Sequence, residues 1–359
     1  MQPRVSIIIL NYNWKQFNQD CLNSVLSQSY QDFEIIFVDN WSSDWSLEEV
    51  EYLFKNEIIS WKIIIIKNKE NTGFTGGNNI WVKNSNAIDY IWLLNNDIIA
   101  DKDALKYLIE WIESDEKIWA TWSLVLDKWN EEFFEDILVN KKSKLTSTFF
   151  WEVAIIKAPI EEINSWIYNA VSISWCSFLY RKNLIKFPFP EFYFAYWEDI
   201  WLSFFILLKW KKIIFDTRSI IHHFWWWAKK SQKKLTNLSI FHWNKNQIIN
   251  YLVFYDSIIR LKLFPLFIIT QVWHLIFNFS LIRIKIKLKS IIWILKNKKE
   301  ILLLRKFIKK NKIINNEDFI KYFSSKIIDE ELIYNPYLKK ITILTNKISY
   351  IYCKITWLQ

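Results

Sequence analysis

Glycine is nearly missing from this chain. Three residues in 359 are glycine, where ordinary proteins devote about 7% of their positions to it. All three lie in one stretch, Asn71-Thr72-Gly73-Phe74-Thr75-Gly76-Gly77-Asn78-Asn79. Every turn elsewhere must be made by residues that carry a Cβ and resist positive φ. Cysteine is scarce too. Cys21, Cys176 and Cys353 are odd in number and far apart, which excludes a disulfide framework and a cysteine-based metal cluster and fits a reducing compartment. No tandem repeat is visible. The first residues, Met-Gln-Pro-Arg-Val-Ser, enter a strand-like run directly, without the charged start, longer apolar core and small-residue cleavage site of a secretory signal.

Tryptophan is in excess where glycine is short. There are 23, and many stand where turn chemistry calls for glycine. Asp39-Asn40-Trp41-Ser42-Ser43-Asp44-Trp45-Ser46 is a polar loop between a strand and a helix, and Trp225-Trp226-Trp227 follows a histidine pair in an apparent loop. If each tryptophan were glycine, the chain would hold 26 glycines, close to the usual ~7%. The pattern is that of a gene that reads UGA as glycine, translated with UGA as tryptophan; the plainer alternative is a tryptophan-rich, sugar-stacking protein. Trp92, inside an apolar strand, reads as genuine. Apolar residues make up 52% of the chain, ample for a core, and the formal charge of +10 calls for an anionic partner such as a nucleotide, lipid headgroups or nucleic acid.

In chain order, Val5 to Leu10 is a continuous apolar run of the kind found in buried parallel strands. Phe17, Cys21, Leu22, Val25 and Leu26 then fall on one helical face. Phe33 to Val38 is a second strand ending at Asp39, with a helix from Ser46. Lys62 to Ile66 is a third, and the glycine-containing loop opens a helix to about Asn86. Tyr90 to Asn95 is a fourth strand, closing on Asn95-Asn96-Asp97, with a helix from Asp101 to Ser114. This alternation predicts a doubly wound α/β domain with a nucleotide site at the strand ends. Further on, Ile118 to Leu126 and Ser172 to Tyr180 read as strands, residues 200–209 as a helix and Lys212 to Phe215 as a short strand. The charged stretch between the first two resembles an acceptor loop. Leu263 to Ile282 is strongly apolar but broken by Pro265, Gln271, His274 and Asn278, and residues 283–312 carry twelve Lys or Arg against one Glu.

The motifs at 5–13, 39–46, 71–79, 93–97, 196–202 and 222–227 together resemble the family 2 glycosyltransferases of the GT-A fold, especially the rhamnosyltransferase-like branch that builds bacterial surface polysaccharides. Each motif is weak alone; six in the family's order, over about residues 3–230, are specific. The resemblance implies an α/β GT-A nucleotide-diphospho-sugar transferase fold: a Rossmann-like mixed sheet flanked by helices. It divides into a nucleotide-sugar-binding half over 1–100 and an acceptor half over 101–235. A helical, basic extension occupies 236–359.

The resemblance also implies the site. Asp97 would coordinate Mn²⁺ or Mg²⁺ bridging the donor diphosphate, a hard cation that wants oxygen ligands, with His222, or alternatively His223, completing the metal shell. Asp39 would meet the nucleotide base. Asn11, Tyr12, Asn13, Asn71, Gly73, Gly76, Gly77, Asn79 and Asn96 would line the nucleotide-sugar crevice. Asp199 would be the general base that deprotonates the acceptor hydroxyl, with Glu198 orienting acceptor or base. Each has a bland alternative: Asp97 capping a turn, Asp39 capping a helix, the acidic pair favouring a helix dipole. The glycine loop is not a P-loop, since no lysine follows it. Residues 225–227, read as glycine, would form a mobile flap ahead of Lys229 and Lys230.

The apolar stretch at 263–282 beside a basic face reads as an interfacial segment on anionic lipid. The basic residues alternate with Ile and Leu rather than stacking aromatics, which speaks against nucleic acid. The expected protein is therefore an inverting hexosyl or deoxyhexosyl transferase. It uses a nucleotide-diphosphate sugar to extend a polysaccharide or lipid-linked glycan, in the cytoplasm, peripheral to the inner face of the membrane. A polyprenyl-phosphate transferase of the same fold and a non-catalytic carbohydrate-binding protein are the alternatives.

Overall fold

The computed structural model describes residues 2–80, 84–127, 144–148, 153–156, 162–164, 167–173, 176–184, 189–224, 236–277, 280–327, 335–356 and 358. The triple tryptophan at 225–227, with Lys229 and Lys230, lies outside the described residues.

The apolar runs form the expected parallel sheet. β1 (Val5–Asn11) pairs in parallel with β2 (Phe33–Asp39), and β2 with β3 (Ile63–Lys67). β1 also pairs in parallel with β4 (Tyr90–Asn95). Between them run α1 (Lys15–Leu26), α2 (Ser46–Leu53), the short α3 (Lys55–Ile59) and α4 (Gly73–Asn79). Side chains alternate between the two sheet faces with the period of a strand. Ile7, Ile9 and Phe37 join Cys21, Leu22 and Val25 of α1 in one buried cluster; Ile8, Ile36 and Val38 join the other. Because both faces are covered, the strands carry no polar alternation.

Beyond β4 the sheet becomes mixed. β5 (Ile98–Ala100) and α5 (Ala104–Ser114) lead into β6 (Ile118–Asp127). The backbones of β7 (Lys144–Thr148) and β8 (Val153–Ile156) form a separate small sheet, and β9 (Glu162–Asn164) and β10 (Ile167–Ala170) close the far edge of the large one. β11 (Ser177–Arg181) sits antiparallel between β4 and β6. α6 (Glu198–Leu208) follows, then β12 (Lys212–His223), parallel to β6. The order across the sheet is β3-β2-β1-β4-β11-β6-β12-β10-β9, with β5 on β12.

Two expected strands differ in extent. The one expected from Ser172 begins at Ser177. The one expected to end at Phe215 continues to His223, because β5 pairs with its second half at Ile221–Ala100, His222–Ile99 and His223–Ile98. A register irregularity separates its two halves: Asp216 pairs with Ser123, and Ile220 with the next residue, Leu124.

The C-terminal part is helical: α7 (Asn237–Phe254), α8 (Ser257–Phe277), α9 (Leu281–Lys296), α10 (Lys298–Asn311), the short α11 (Asn316–Ile320) and α12 (Pro336–Ile355). The apolar stretch expected at 263–282 is divided between α8, which carries Pro265 inside it, and the start of α9. Among the described residues, one helix, over Ser257–Leu275, is long and apolar enough to cross a membrane. The C-terminal helices share a core with the sheet. Ile249, Phe254 and Phe319 belong to the same buried cluster as Ile8, Phe204 and Phe215, and β13 (Phe323–Ser324) pairs with β7.

Among the described residues, eight other than glycine hold positive φ, and five of them are tryptophan: Trp41, Trp45, Trp61, Trp197 and Trp210, at 57° to 72°. All but Trp197 are exposed.

Candidate active site

The carboxyl ends of β1, β2 and β4 meet on one side of the sheet, where open α/β folds bind ligands. A cleft of about 450 Å³ opens there. Leu10, Tyr12, Trp14, Asn40, Asn71 and Gly73 form part of its wall, Asn95, Asn96 and Asp97 another part, and Phe194, Tyr196 and His242 the opposite side.

Parallel register places Asn11 beside Asp39 and Leu10 beside Asn95. The Asn11 amide donates to Asp39 Oδ1 at 3.0 Å and to Ser46 Oγ at 2.7 Å, and Asp39 Oδ2 accepts the Ser42 N–H at 3.2 Å. Asn96 donates to Asn11 Oδ1 at 3.0 Å and to Asn18 Oδ1 at 2.8 Å. Asn11, Asn18, Asp39 and Asn96 are all buried, a satisfied polar network that fixes the strand ends. Asn11, Asp39, Gly76, Gly77 and Asn79 do not line the cleft. Asn79 exchanges hydrogen bonds with the Phe189 backbone, and Asn13, exposed at φ 56°, accepts the Ser43 N–H at 2.7 Å. Asn40, which the sequence reading did not single out, ties the end of β2 to the loop that opens α4. Its amide donates to Asn71 Oδ1 at 3.0 Å and its oxygen accepts the Thr72 N–H at 3.1 Å. Gly73 sits at φ 71°, where an added Cβ would lie 2.3 Å from the Phe194 carbonyl oxygen; this close approach joins the two sides of the cleft.

Asp97 closes β4 and is nine-tenths buried. His223 Nε2 lies 3.3 Å from Asp97 Oδ1. His222, the residue favoured from sequence, faces away, its Nε2 3.1 Å from Asp101 Oδ1; the alternative, His223, is the one beside Asp97. Pairing with β5 explains this: β5 begins immediately after Asp97, so the residue opposite Ile98 is delivered to the carboxylate and its neighbour points the other way. Among the described residues no group of three His, Cys, Asp or Glu forms a metal cage. One carboxylate and one imidazole nevertheless fit a divalent cation that takes its remaining ligands from a diphosphate.

The opposite wall is an aromatic loop in a strained conformation: Phe194, Tyr196 and Trp197 have φ of 66°, 70° and 71°. α7 holds it by its carbonyls. Asn246 Nδ2 lies 3.0, 2.9 and 2.8 Å from the oxygens of Tyr193, Ala195 and Tyr196. Lys245 Nζ donates to the Phe192 carbonyl and, at 3.0 Å, to His242 Nδ1. The Tyr193 hydroxyl donates to Asn250. His242 stacks on Phe194 with centroids 4.8 Å apart. Burial, reinforced by the Lys245 charge, pushes His242 down to about 4, and burial pushes Lys245 down to about 7. None of these α7 residues was singled out from sequence. A helix with buried polar residues on most of its length has no clean apolar stripe to betray which face matters.

Glu198 and Asp199 open α6 directly after this loop but do not line the cleft themselves. Glu198 is buried and its Oε2 has no hydrogen-bond partner among the described residues. Asp199 Oδ1 accepts the Ile200 N–H at 2.7 Å. Burial raises both carboxyls above the usual range, and the proximity of Asp199 raises Glu198 further.

The arrangement is a strand-end cleft of an open α/β fold, and comparison with known proteins names the family. The model of the family described as glycosyl transferase family 2 matches residues 6–186, and the chain belongs to that family. A Haemophilus influenzae protein named as an uncharacterized glycosyltransferase is 25% identical over 210 residues, 55% of this chain and 60% of that one. The poly-beta-1,6-N-acetyl-D-glucosamine synthase of Staphylococcus epidermidis is 27% identical over 212 residues, 59% of this chain and 46% of that one. The matched stretch thus spans about half the length of these relatives. Among solved structures, S. aureus TarS 1-349 shares the fold at a TM-score of 0.51 and 14% identity, covering 97% of this chain and 89% of that one. The mannosyltransferase PcManGT of Pyrobaculum calidifontis, in complex with GDP-Man and Mn²⁺, shares it at 0.50 and 13%, covering 87% and 86%.

Proposed function

We propose that this protein is an inverting glycosyltransferase that moves a sugar from a nucleotide-diphosphate donor to a growing polysaccharide or lipid-linked glycan at the inner face of the membrane. The observation that carries the reading is the juxtaposition of Asp97 and His223 at the end of β4, beside a cleft walled by strand ends on one side and by the loop leading to Glu198 and Asp199 on the other. Asp97 and His223 would hold Mn²⁺ or Mg²⁺, which when bound offsets the charge of the departing diphosphate. Asp39 and Asn40 belong to the base and ribose side. Asp199 takes the proton of the acceptor hydroxyl as that oxygen attacks the anomeric carbon, and its raised pKa keeps it a stronger base than an exposed aspartate. The test is release of nucleoside diphosphate from a panel of nucleotide sugars with Mn²⁺ and candidate glycans. Turnover that Asp97→Ala abolishes is expected; glycan binding without turnover on any donor would make the protein a carbohydrate binder instead.

We further propose that glycine occupies the left-handed tryptophan positions in the native protein, the gene reading UGA as glycine. What supports this is the backbone: a residue with a Cβ costs roughly 1–2 kcal/mol in that region, and glycine almost nothing. Trp92 makes the contrast, buried at ordinary φ with its Nε1 donating to Ser177 Oγ at 3.1 Å. The expected gene has UGA at 41, 45, 61, 197 and 210 and UGG at 92, with peptides from the source cells carrying glycine at those five positions. UGG at the five overturns the proposal.

A further inference from the structure

α12 is built inside out. Tyr337, Ile341, Leu344, Ile348, Ile351 and Ile355 follow one another at alternating steps of four and three, which sets them in one row along the helix. All six are exposed, from 48% at Ile341 to 81% at Tyr337. The row that packs inward is Thr342, Asn346, Ser349 and Cys353. Leu338, Tyr352 and Cys353 meet the main core, and the rest of the inward row is polar: Asn346 Oδ1 accepts the Ile327 N–H at 2.9 Å, and Ser349 Oγ donates to the Ser325 carbonyl at 2.6 Å. A helix in water ordinarily does the reverse, so the outer row is built for a partner that is itself apolar.

The charges identify that partner. Lys340, Lys347 and Lys354 recur every seven residues along one flank of the row, all exposed, and α12 contains no Asp or Glu. α9 repeats the pattern, with Leu281, Leu288, Ile292 and Leu295 exposed beside Lys285 and Lys289 and again no acid. Four-three spacing is also the seam of a coiled coil, but a second copy of α12 would bring no carboxylate to meet these lysines. A bilayer with anionic headgroups satisfies both features, taking the apolar row into its upper acyl region and the ammonium groups at the phosphates.

We infer that α12 is the surface by which the protein lies on anionic lipid. The assignment deepens the membrane-face part of the proposed function and rests on it. It moves the docking element from the apolar stretch at 263–282 to the C-terminal helix, and it holds whichever way the tryptophans are decoded, since α12 contains none.

The test is flotation of the full-length protein with phosphatidylcholine vesicles, with and without phosphatidylglycerol. Binding is expected only with phosphatidylglycerol, weakened by salt. The triple variant Leu344→Ser, Ile348→Ser, Ile351→Ser is expected to bind at least about tenfold more weakly. Replacing Lys340, Lys347 and Lys354 by Gln is expected to cost about fivefold per lysine. Nucleoside diphosphate release measured without vesicles is expected to be unchanged in both, so failure to dock and failure of the transferase reading are separate results. Vesicle binding that the Ser variant leaves intact, or no binding by the wild type, overturns the inference. So does an oligomer of the unvariant protein that the Ser variant dissociates, which would assign the row to a second copy.

Discussion

The sheet half and the C-terminal helices treat apolar residues in opposite ways. In β1 and β2, Ile7, Ile8, Ile9, Ile35 and Ile36 have no exposed surface at all. In α12, isoleucines at 341, 348, 351 and 355 are each about half exposed or more, while serine, threonine and asparagine face the protein. The same residue type is core in one region and contact surface in the other. Composition alone cannot separate the two; only the element against which the row is laid decides.

The sharpest way to separate the regions is by function. Asp97→Ala and Asp199→Asn should each lower transfer by about 10²–10⁴-fold, while the Ser variant of α12 leaves turnover in free solution unchanged; kcat on a soluble acceptor checks both. Stability comes next. Ile36→Ala should cost about 2–5 kcal/mol by denaturant unfolding, whereas Ile348→Ala should stay within about 0.5 kcal/mol; an equal cost would erase the contrast. Third, His223→Gln should reduce Mn²⁺-dependent activity about 10–100-fold, with Mn²⁺ titration shifting to match, and His222→Gln should cost little. Last is a pH effect from the seam between the regions. Lys245 falls from 10.5 in the unfolded chain to about 7 in the fold, so the unfolded state holds the extra proton between those values, and stability should rise with pH across that window. Lys245→Met should flatten this limb of the Tm–pH curve.

Much of the sheet half was legible because its signals are local. β1, β2 and β4 announce themselves as unbroken apolar runs, and a carboxylate or carboxamide at the end of such a run points to the sheet's ligand-binding edge, which is where Asp39, Asn96 and Asp97 lie. What was not legible depends on partners distant in sequence. The histidine beside Asp97 is chosen by pairing between β12 and β5, more than a hundred residues apart. Asn246 and Lys245 gain their role from the carbonyls of a loop some fifty residues earlier. The inversion of α12 is invisible in its pattern, since an apolar row at helical spacing reads as core unless the inward row is known to be polar.

The irregularity in β12 has an arithmetic consequence. Between Asp216 and Ile220 the strand advances four residues while β6 advances one, so Thr217, Arg218 and Ser219 are surplus to the ladder. An odd surplus inverts the alternation of faces beyond it. Beyond the surplus, pairing with β5 sets the faces anew, with His223 opposite Ile98 and His222 opposite Ile99. The imidazole at the site is thus chosen by the register between β12 and β5, and the three surplus residues free that register from the first half of the strand.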